Sequence, residues 1–356
     1  MEITSRLLSQ CRLVSHVKHI YYGNLFHHID NNYGGKILFV YDGNVSHIVE
    51  NYKSYAISTL CLAEYKALPT FKNVEEIQRN IAENNIKVLY GFGTGAINDL
   101  CKYAAYKSKI PYTFCPTALS MNGISSNNVS LFDDERQVKV SLMAMAPRII
   151  ILEPNILSNA PIKFIGSAIM DSLAAYTACN DFIYASSLDS HLYSYDYHLF
   201  TTFKTMMEQI LAIIHQGSVE AFSKEVNTML VFDMLFFSGL VMNHHQSSIA
   251  FSGGEHAIAH TLEGKFPELS HKFLHGEVIS AVLPYYSELQ KSYTKHDYID
   301  RKTVIENNAI DFTSIALFFE IPTSFQDIGI SKEQFNLCVS QAKFVKERPT
   351  ILNLLY

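Results

Sequence analysis

Three histidines and one aspartate carry the chemistry most readily read from this chain. Asp171 lies in IMDSLAAYTACND, His256 and His260 in GGEHAIAHTLE, and His275 in FLHGEVIS. Neutral imidazoles and one carboxylate are what a borderline divalent ion takes as ligands, and three protein ligands leave a position open for substrate. His256 and His260 are four residues apart, which stacks them on one face of a helix. The chain has 15 histidines, however, so such pairs also arise by accident. His271 and His275 form another, and His244 and His245 are adjacent. Spacing alone leaves both a metal centre and ordinary packed or surface histidines open.

A second segment has the chemistry of anion binding. A β-like run, Ile86–Tyr90, leads into Gly91-Phe92-Gly93-Thr94-Gly95-Ala96, and helical spacing starts near Ile97. Glycines let backbone approach an anion closely, and the free N–H groups of a helix N-terminus point at it. Gly91, Gly93 and Ala96 match a G-x-G-x-x-A pattern. That fingerprint belongs after the first strand, with an acid roughly 20 residues further on. Here the turn follows the third predicted strand, and Lys109–Tyr112 holds no acid. The acid at a strand end is Asp42, after the first strand. The segment reads as an anion-binding turn in a different nucleotide-binding topology, with a simple tight turn as the plainer alternative.

The elements that must position these residues alternate in type. Lys36–Tyr41 and Tyr55–Leu62 read as strands, Asn73–Asn85 as a helix with Val74, Ile77 and Ile81 on one stripe, Ile97–Lys107 as a second helix, and Pro111–Cys115 as a strand. Val129–Phe132 and Gln137–Leu142 flank Asp133-Asp134 as a hairpin, and Arg148–Leu152 is a last strand. Strands alternating with helices predict a parallel sheet covered on both faces. From Ala160 onward helical patterns dominate. The expected organisation is an α/β nucleotide-binding domain over residues 1–158 and an all-helical metal and substrate domain over 159–356.

Composition narrows the class. With 356 residues, 48% of them apolar and 17% charged, the chain has ample core for two domains. A net charge of −6 gives no basic footprint for nucleic acid. The six cysteines include no CxxC pair, which fits a reduced compartment rather than a disulfide scaffold. MEITSRLLSQCRL lacks the charged-then-apolar pattern of a leader peptide. Val231–Met242 is short and contains Asp233, so it reads as a buried helix and not a membrane span. A cytoplasmic protein with no membrane insertion is expected.

Taken in order, the motifs resemble the glycerol-1-phosphate dehydrogenase branch of the iron-containing alcohol dehydrogenase and dehydroquinate synthase superfamily. GTGAINDLCKYAAYKSKIPYTFCPTALSMNGISSN (Gly93–Asn127) is similar to that branch's G-S-G-T-I-N-D…K-Y, I-P-Y and P-T-A-x-S-M-[DN]-G. MDSLAAYTACNDF (Met170–Phe182) resembles G-D-x-x-x-x-Y-T-A-x-x-D-W. GGEHAIAH and LHGE resemble S-E-H-x-x-S-H and L-H-G-E, and RPTILNLLY (Arg348–Tyr356) resembles R-Y-T-I-L-D-L-L. The resemblance covers nearly the whole chain.

The resemblance implies roles. Asp171, His256 and His275 would hold one divalent metal, Zn²⁺ first, with Fe²⁺ or Ni²⁺ as alternatives. Gly93, Thr94 and Gly95 would cradle the pyrophosphate of NAD(H) or NADP(H), with Asp99 in the same motif. Thr117, Leu119 and Ser120 would line the nicotinamide side, and Asp42 would face the adenosine ribose. Asn122 would stand near the substrate, and His260 would relay a proton. The implied reaction reduces dihydroxyacetone phosphate, or a related phosphorylated ketone, to sn-glycerol 1-phosphate in a homodimer or larger homo-oligomer. Glu255 and Glu277, each beside a metal histidine, are expected either to orient the rings or to cap helices.

Departures from the branch are Ala96 for Thr in the glycine turn, where backbone does the binding, and Met170 for Gly, Gly254 for Ser and Asn122 for Asp around the substrate. A sugar-phosphate cyclase would carry D-S-x-x-G-G-K-T where this chain has Asn122-Gly-Ile-Ser-Ser-Asn-Asn. A glycerol dehydrogenase acting on a non-phosphorylated polyol shares the three-ligand site. Alcohol dehydrogenases with a fourth ligand one turn after the aspartate are disfavoured by Ala175. A non-catalytic protein on the same scaffold is the alternative from another class.

Overall fold

The run Ile37–Tyr41 is buried at every position, as a strand covered on both faces must be. It is the second of eight strands in the computed structural model, which describes residues 11, 13–29, 36–133, 135, 138–295, 300–346 and 348–355. The strands are β1 (His19–Tyr22), β2 (Ile37–Tyr41), β3 (Ser58–Cys61), β4 (Val88–Gly93), β5 (Tyr112–Pro116), β6 (Asn128–Asp133), β7 (Val138–Met143) and β8 (Ile149–Leu152). Six of them form one wholly parallel sheet in the order β1-β8-β5-β4-β2-β3.

Helices α1 (Phe71–Glu83) and α2 (Gly95–Ser108) connect β3 to β4 and β4 to β5. Val74, Ile77 and Ile81 form the buried stripe of α1, and Thr70 caps it by accepting from the Asn73 N–H at 3.2 Å. The chain moves outward from β2 to β3, then returns across β2 to β4 and continues to β5. Right-handed crossovers in opposite directions put their connections on opposite faces. On one face Ile37, Phe39, Tyr41, Tyr90 and Phe92 meet Val45, Val49 and Tyr52 of the β2–β3 link. On the other, α1 and α2 pack on each other and α2 on β4 and β5. The sheet is thus covered on both faces, as the alternation of elements predicts.

Some boundaries differ from expectation. β1 has no alternation and is polar at its start, so it escapes a periodicity reading; it makes the glycine segment follow the fourth strand of the chain rather than the third. Glu50–Tyr55 is a 3₁₀ helix, which shortens the expected Tyr55–Leu62 strand to Ser58–Cys61. β6 and β7 form the antiparallel hairpin, with Val129 opposite Leu142 and Leu131 opposite Val140. Asp134 of its expected turn and Gln137 of its second arm lie outside the described residues.

The later helices are α3 (Ile162–Leu188), α4 (Tyr197–His215), α5 (Glu225–His244), α6 (Gly254–Lys265), α7 (His275–Ser292) and α8 (Lys332–Ala342), with shorter ones between. The described residues divide into two units. The first comprises those up to Leu119, Gly123–Pro161 and Ser223–Asn243; the second comprises Ser120–Asn122, Ile162–Phe222 and the chain from His244 onward. Hydrogen bonds explain why most of α5 belongs with the sheet. Ser125 Oγ donates to the Phe236 carbonyl at 2.6 Å, the Asn127 N–H donates to Asn243 Oδ1 at 2.7 Å, and Asn243 Nδ2 donates to the Ser125 carbonyl at 3.0 Å. No single cut near residue 158 yields these units. α5 also runs longer than its apolar centre Val231–Met242. It is long and apolar enough to cross a membrane, but 67% of its apolar window is buried within the fold. The second unit is built on α3, which is apolar almost all round and therefore buried on nearly every side.

Candidate functional site

Three helices of the second unit supply the metal-type residues. Asp171 sits in the middle of α3, His256 and His260 in α6, and His275 at the first position of α7. Gly276 sets the approach of α7 to α3. A Cβ there would lie 2.0 Å from the Ser167 carbonyl oxygen, one turn before Asp171. Gly254 does the same at the start of α6, where a Cβ would lie 2.2 Å from Tyr286 Oη. The departure from Ser at this position thus has a steric cause.

The result is one cluster. Ligand atoms of Asp171, His256 and His275 all lie within 4.8 Å of one another. Asp171 Oδ1 is 3.1 Å from His256 Nε2, and Oδ2 accepts from the Asn122 N–H at 2.9 Å. Asn122 Nδ2 also donates to the Asp171 main-chain carbonyl at 3.3 Å, so this residue ties down the carboxylate with its N–H and the helix backbone with its side chain. Burial penalises the Asp171 charge, but His256, His275 and the Asn122 N–H outweigh it and bring the carboxyl below its ordinary range. His256 moves the other way. Burial lowers it, and Asp171 and Glu255 more than compensate, so the imidazole titrates above its usual value.

Two further acids fix the rings. Glu255 Oε1 is 2.9 Å from His256 Nδ1, which leaves Nε2 facing Asp171. Both carboxylate oxygens of Glu263 stand 3.1 Å from His275 Nδ1, which leaves Nε2 as its ligand nitrogen. Such partners set tautomer and raise ligand basicity. The two readings of the flanking acids therefore separate: Glu255 orients a ring, whereas Glu277 accepts from the Leu274 N–H at 2.6 Å and caps α7. Glu263 was missed in the sequence. Its signal was there, since it follows His256 by seven residues and His260 by three on one helical face.

His260 is buried beside the cluster, its ring centroid 6.0 Å from that of His256 and 5.3 Å from that of His275. His260, Glu263 and His275 also offer ligand atoms within 4.8 Å of one another. Glu263 is committed to His275 Nδ1, so this second grouping reads as the support of the first. His271 is exposed and joins neither. Ala175 is fully buried one turn after Asp171 and offers no fourth ligand, and Met170 is fully buried beside Asp171.

The donor set fits a divalent ion. Tetrahedral ligand atoms about 2.0–2.2 Å from zinc stand roughly 3.3–3.5 Å apart, close to the 3.1 Å between Asp171 Oδ1 and His256 Nε2. Without an ion, a proton between these two atoms would take the place that a cation could fill.

The remaining predicted residues, except Ser120, belong to the first unit. Chain direction reverses between β2 and β4, the position at which open α/β sheets bind ligands beyond the carboxyl ends of the strands. Asp42 follows β2, Gly93, Thr94 and Gly95 follow Phe92 of β4, and Thr117 follows β5, its N–H donating to the Gly93 carbonyl at 2.9 Å. Gly91 is a strand residue and not part of the turn. It faces α2, where a Cβ would lie 3.0 Å from Cys101 Sγ. Gly93 has φ +155°, and a Cβ would lie 2.7 Å from Ile97. Thr94 makes no side-chain cap on α2, which leaves the helix N-terminus to its backbone donors. Asp42 is buried, which raises its pKa, and Oδ2 accepts from the Ala67 N–H at 3.2 Å. Asp99 Oδ2 accepts from the Ser130 N–H at 3.0 Å, and Oδ1, which has no hydrogen bond, is 3.1 Å from Lys102 Nζ. Leu119 is buried in the first unit. Ser120, in the second, accepts from Ser167 Oγ through its carbonyl at 3.2 Å.

A separate groove of about 880 Å³ in the first unit is lined by Lys18, Lys107, Lys109 and Arg148 among others, and none of the predicted site residues lines it.

Residues 28–161 match the family model described as iron-containing alcohol dehydrogenase. The chain is 30% identical over 208 residues to a glycerol-1-phosphate dehydrogenase (NAD(P)+) of Thermococcus sibiricus, covering 58% of this chain and 57% of that protein. It is 29% identical over 236 residues to the Sulfurisphaera tokodaii protein of the same name, 65% of this chain and 63% of that one. The matches thus span less than two thirds of these relatives. Among solved structures, the NADH-dependent butanol dehydrogenase A of Thermotoga maritima superposes with a TM-score of 0.67 at 14% identity, over 96% of this chain and 92% of that one. A probable glycerol dehydrogenase of Sinorhizobium meliloti 1021 gives 0.66 at 16% identity, over 95% and 91%. These likenesses establish the fold.

Proposed function

We infer that this chain, whose residues 28–161 match the model described as iron-containing alcohol dehydrogenase, is a metal-dependent NAD(P)H oxidoreductase that reduces a phosphorylated ketone, dihydroxyacetone phosphate in the first instance. The observation that carries this reading is the convergence of Asp171, His256 and His275 within 4.8 Å. The names of its 30%-identical relatives favour a polyol phosphate as the alcohol product.

Asp171, His256 and His275 would hold the ion, with Nε2 of each histidine turned inward by Glu255 and Glu263. A bound divalent ion supplies Lewis acidity at the ketone oxygen, and a bound nicotinamide supplies the hydride. Asn122 keeps the Asp171 carboxylate in place through its main-chain N–H, while its side-chain amide donates to the Asp171 main-chain carbonyl. His260, buried beside the ligand histidines, is assigned the proton that the product hydroxyl needs. In the first unit, backbone around Gly93-Thr94-Gly95 would receive the pyrophosphate, with Thr117 and Leu119 beside the nicotinamide and Asp42 toward the ribose. Asp99, paired with Lys102 through Oδ1 and accepting from the Ser130 N–H through Oδ2, would support this turn from within α2.

The substrate is tested by following NADH and NADPH absorbance with dihydroxyacetone phosphate, dihydroxyacetone and ketose phosphates. Preferential oxidation with dihydroxyacetone phosphate is expected. Turnover only with dihydroxyacetone would make this a dehydrogenase of non-phosphorylated polyols, and consumption of a sugar phosphate without net nicotinamide change would make it a cyclase.

A further inference from the structure

Behind His256 lies a second buried cluster that the proposed reaction does not use. Asp181, ten residues after Asp171 on α3, is 2% exposed and accepts from Tyr286 Oη at 2.8 Å, the Gly254 N–H at 2.7 Å and the Ile351 N–H at 3.0 Å. Glu255 is fully buried and accepts from the Gly253 N–H at 2.6 Å and Thr177 Oγ1 at 2.9 Å, besides facing His256 Nδ1. The two carboxylates converge on Gly253. A Cβ at that residue would lie 2.3 Å from Asp181 Oδ2 and 2.9 Å from Glu255 Oε2.

Two buried acids this close repel each other and lose their hydration, which is tolerable only with dedicated donors and opposite charge. The C-terminal segment supplies both. Its Ile351 N–H is one of the Asp181 donors. Lys346 Nζ donates to Ser252 Oγ at 2.8 Å, and Arg348 donates to Ser247 Oγ at 3.1 Å, to Ser248 Oγ at 3.2 Å and to the Ser252 carbonyl. Arg348 is close enough to act on both acids and Lys346 on Glu255. The segment therefore grips the loop that feeds α6 and brings the Arg348 guanidinium near the acids behind its first turn.

We propose that Lys346 and residues 348–354 are a positioning strap for the metal centre: they fix the Asp181–Glu255 pair, and through Glu255 they fix the His256 ring with Nε2 toward Asp171. This rests on the metal reading given above. The strap acts on metal affinity and ligand geometry rather than on substrate, and it does so through Glu255 from Arg348, 92 positions beyond the His256 that is oriented.

The test uses the full chain, stripped of metal and titrated with zinc against a chelating dye, with Co²⁺ absorption as a report on ligand geometry. Arg348→Gln should weaken zinc binding about tenfold or more, in line with the effect of other orienting partners, and shift the Co²⁺ bands. Lys346→Met removes the strap's bond to Ser252 Oγ with little change of length, so it answers the question if Arg348→Gln does not fold. It should weaken zinc several-fold while NADH binding, read by fluorescence, stays at the wild-type value. Unchanged zinc affinity and Co²⁺ spectra in a folded Arg348→Gln, or in Lys346→Met, overturn the strap alone. A wild-type protein that takes up no zinc overturns the metal reading and the strap with it.

Discussion

Glu263 brackets Nδ1 of His275 with both carboxylate oxygens, each at 3.1 Å. One acid thereby decides which nitrogen of this histidine is left for a cation, and it does so from the helix that carries the other two histidines. Glu263→Gln keeps the shape but removes the charge. It is expected to lower metal affinity by roughly 10–100-fold, the usual effect of losing an orienting partner, as measured by chelator competition. Wild-type affinity in this variant would show that His275 is positioned by packing alone.

His256 and His260 share a face of α6 but are assigned different work. His256→Ala should lose metal and activity together. His260→Ala should retain metal and lose about 10²–10⁴ in kcat, the span typical of a missing proton-transfer group. Metal analysis beside steady-state rates separates the two, and loss of metal from His260→Ala would reassign this histidine to the ligand set, in company with Glu263.

Gly276 lies against main chain, where nothing can swing aside. Gly276→Ala should push α7 from α3, destabilising the fold by about 1–3 kcal/mol as overpacked cores do, and weaken metal binding because His275 is the adjacent residue. Denaturant midpoints and zinc titration report the two effects. A stable variant with normal zinc affinity would mean that the spacing of Asp171 and His275 is set elsewhere.

His245 gives a pH signature away from the metal centre. Burial, then the neighbouring His244, lowers its pKa to about 4, against a smaller opposing pull from Asp196, and its ring stands edge-on to Phe182. The unfolded chain therefore binds this proton below pH 6.5 when the folded chain does not, so stability falls as pH drops from 6.5 toward 4. Asp181 runs in the opposite sense over much of that window, because burial and Glu255 raise its pKa to about 7. The informative quantity is accordingly the difference between proteins. His245→Gln should lose less stability than wild type between pH 6.5 and 4 in urea titrations, and parallel curves would count against a buried neutral imidazole.

What the chain reveals before folding follows from the range of the forces involved. The α1 stripe Val74, Ile77 and Ile81, the buried run Ile37–Tyr41 and the helix beginning after Gly93 are local patterns, and they are legible as such. Asp171, His256 and His275 lie far apart in sequence; their individual motifs are weak, and it was their order along the chain that suggested a common site. β1 was missed because an edge strand without alternation has no period to detect. The attachment of α5 to the first unit depends on Ser125, Asn127 and Asn243, a contact across more than 100 residues that leaves no local trace. The grouping of Asp181 with Glu255, Tyr286 and Ile351 is hidden for the same reason. Each of these residues looks like ordinary core or surface until the helices are packed.

The central claim is that the Asp171, His256 and His275 cluster binds a divalent ion on which ketone reduction depends. The most direct measurement follows NADH and NADPH oxidation by dihydroxyacetone phosphate in protein first stripped by chelator and then reloaded with one equivalent of zinc, iron(II) or nickel(II). The account predicts that stripping abolishes turnover, that one equivalent restores it, and that His256→Ala cannot be restored. Full activity in the stripped protein, or none with any ketone in reloaded protein that binds nucleotide, would contradict it.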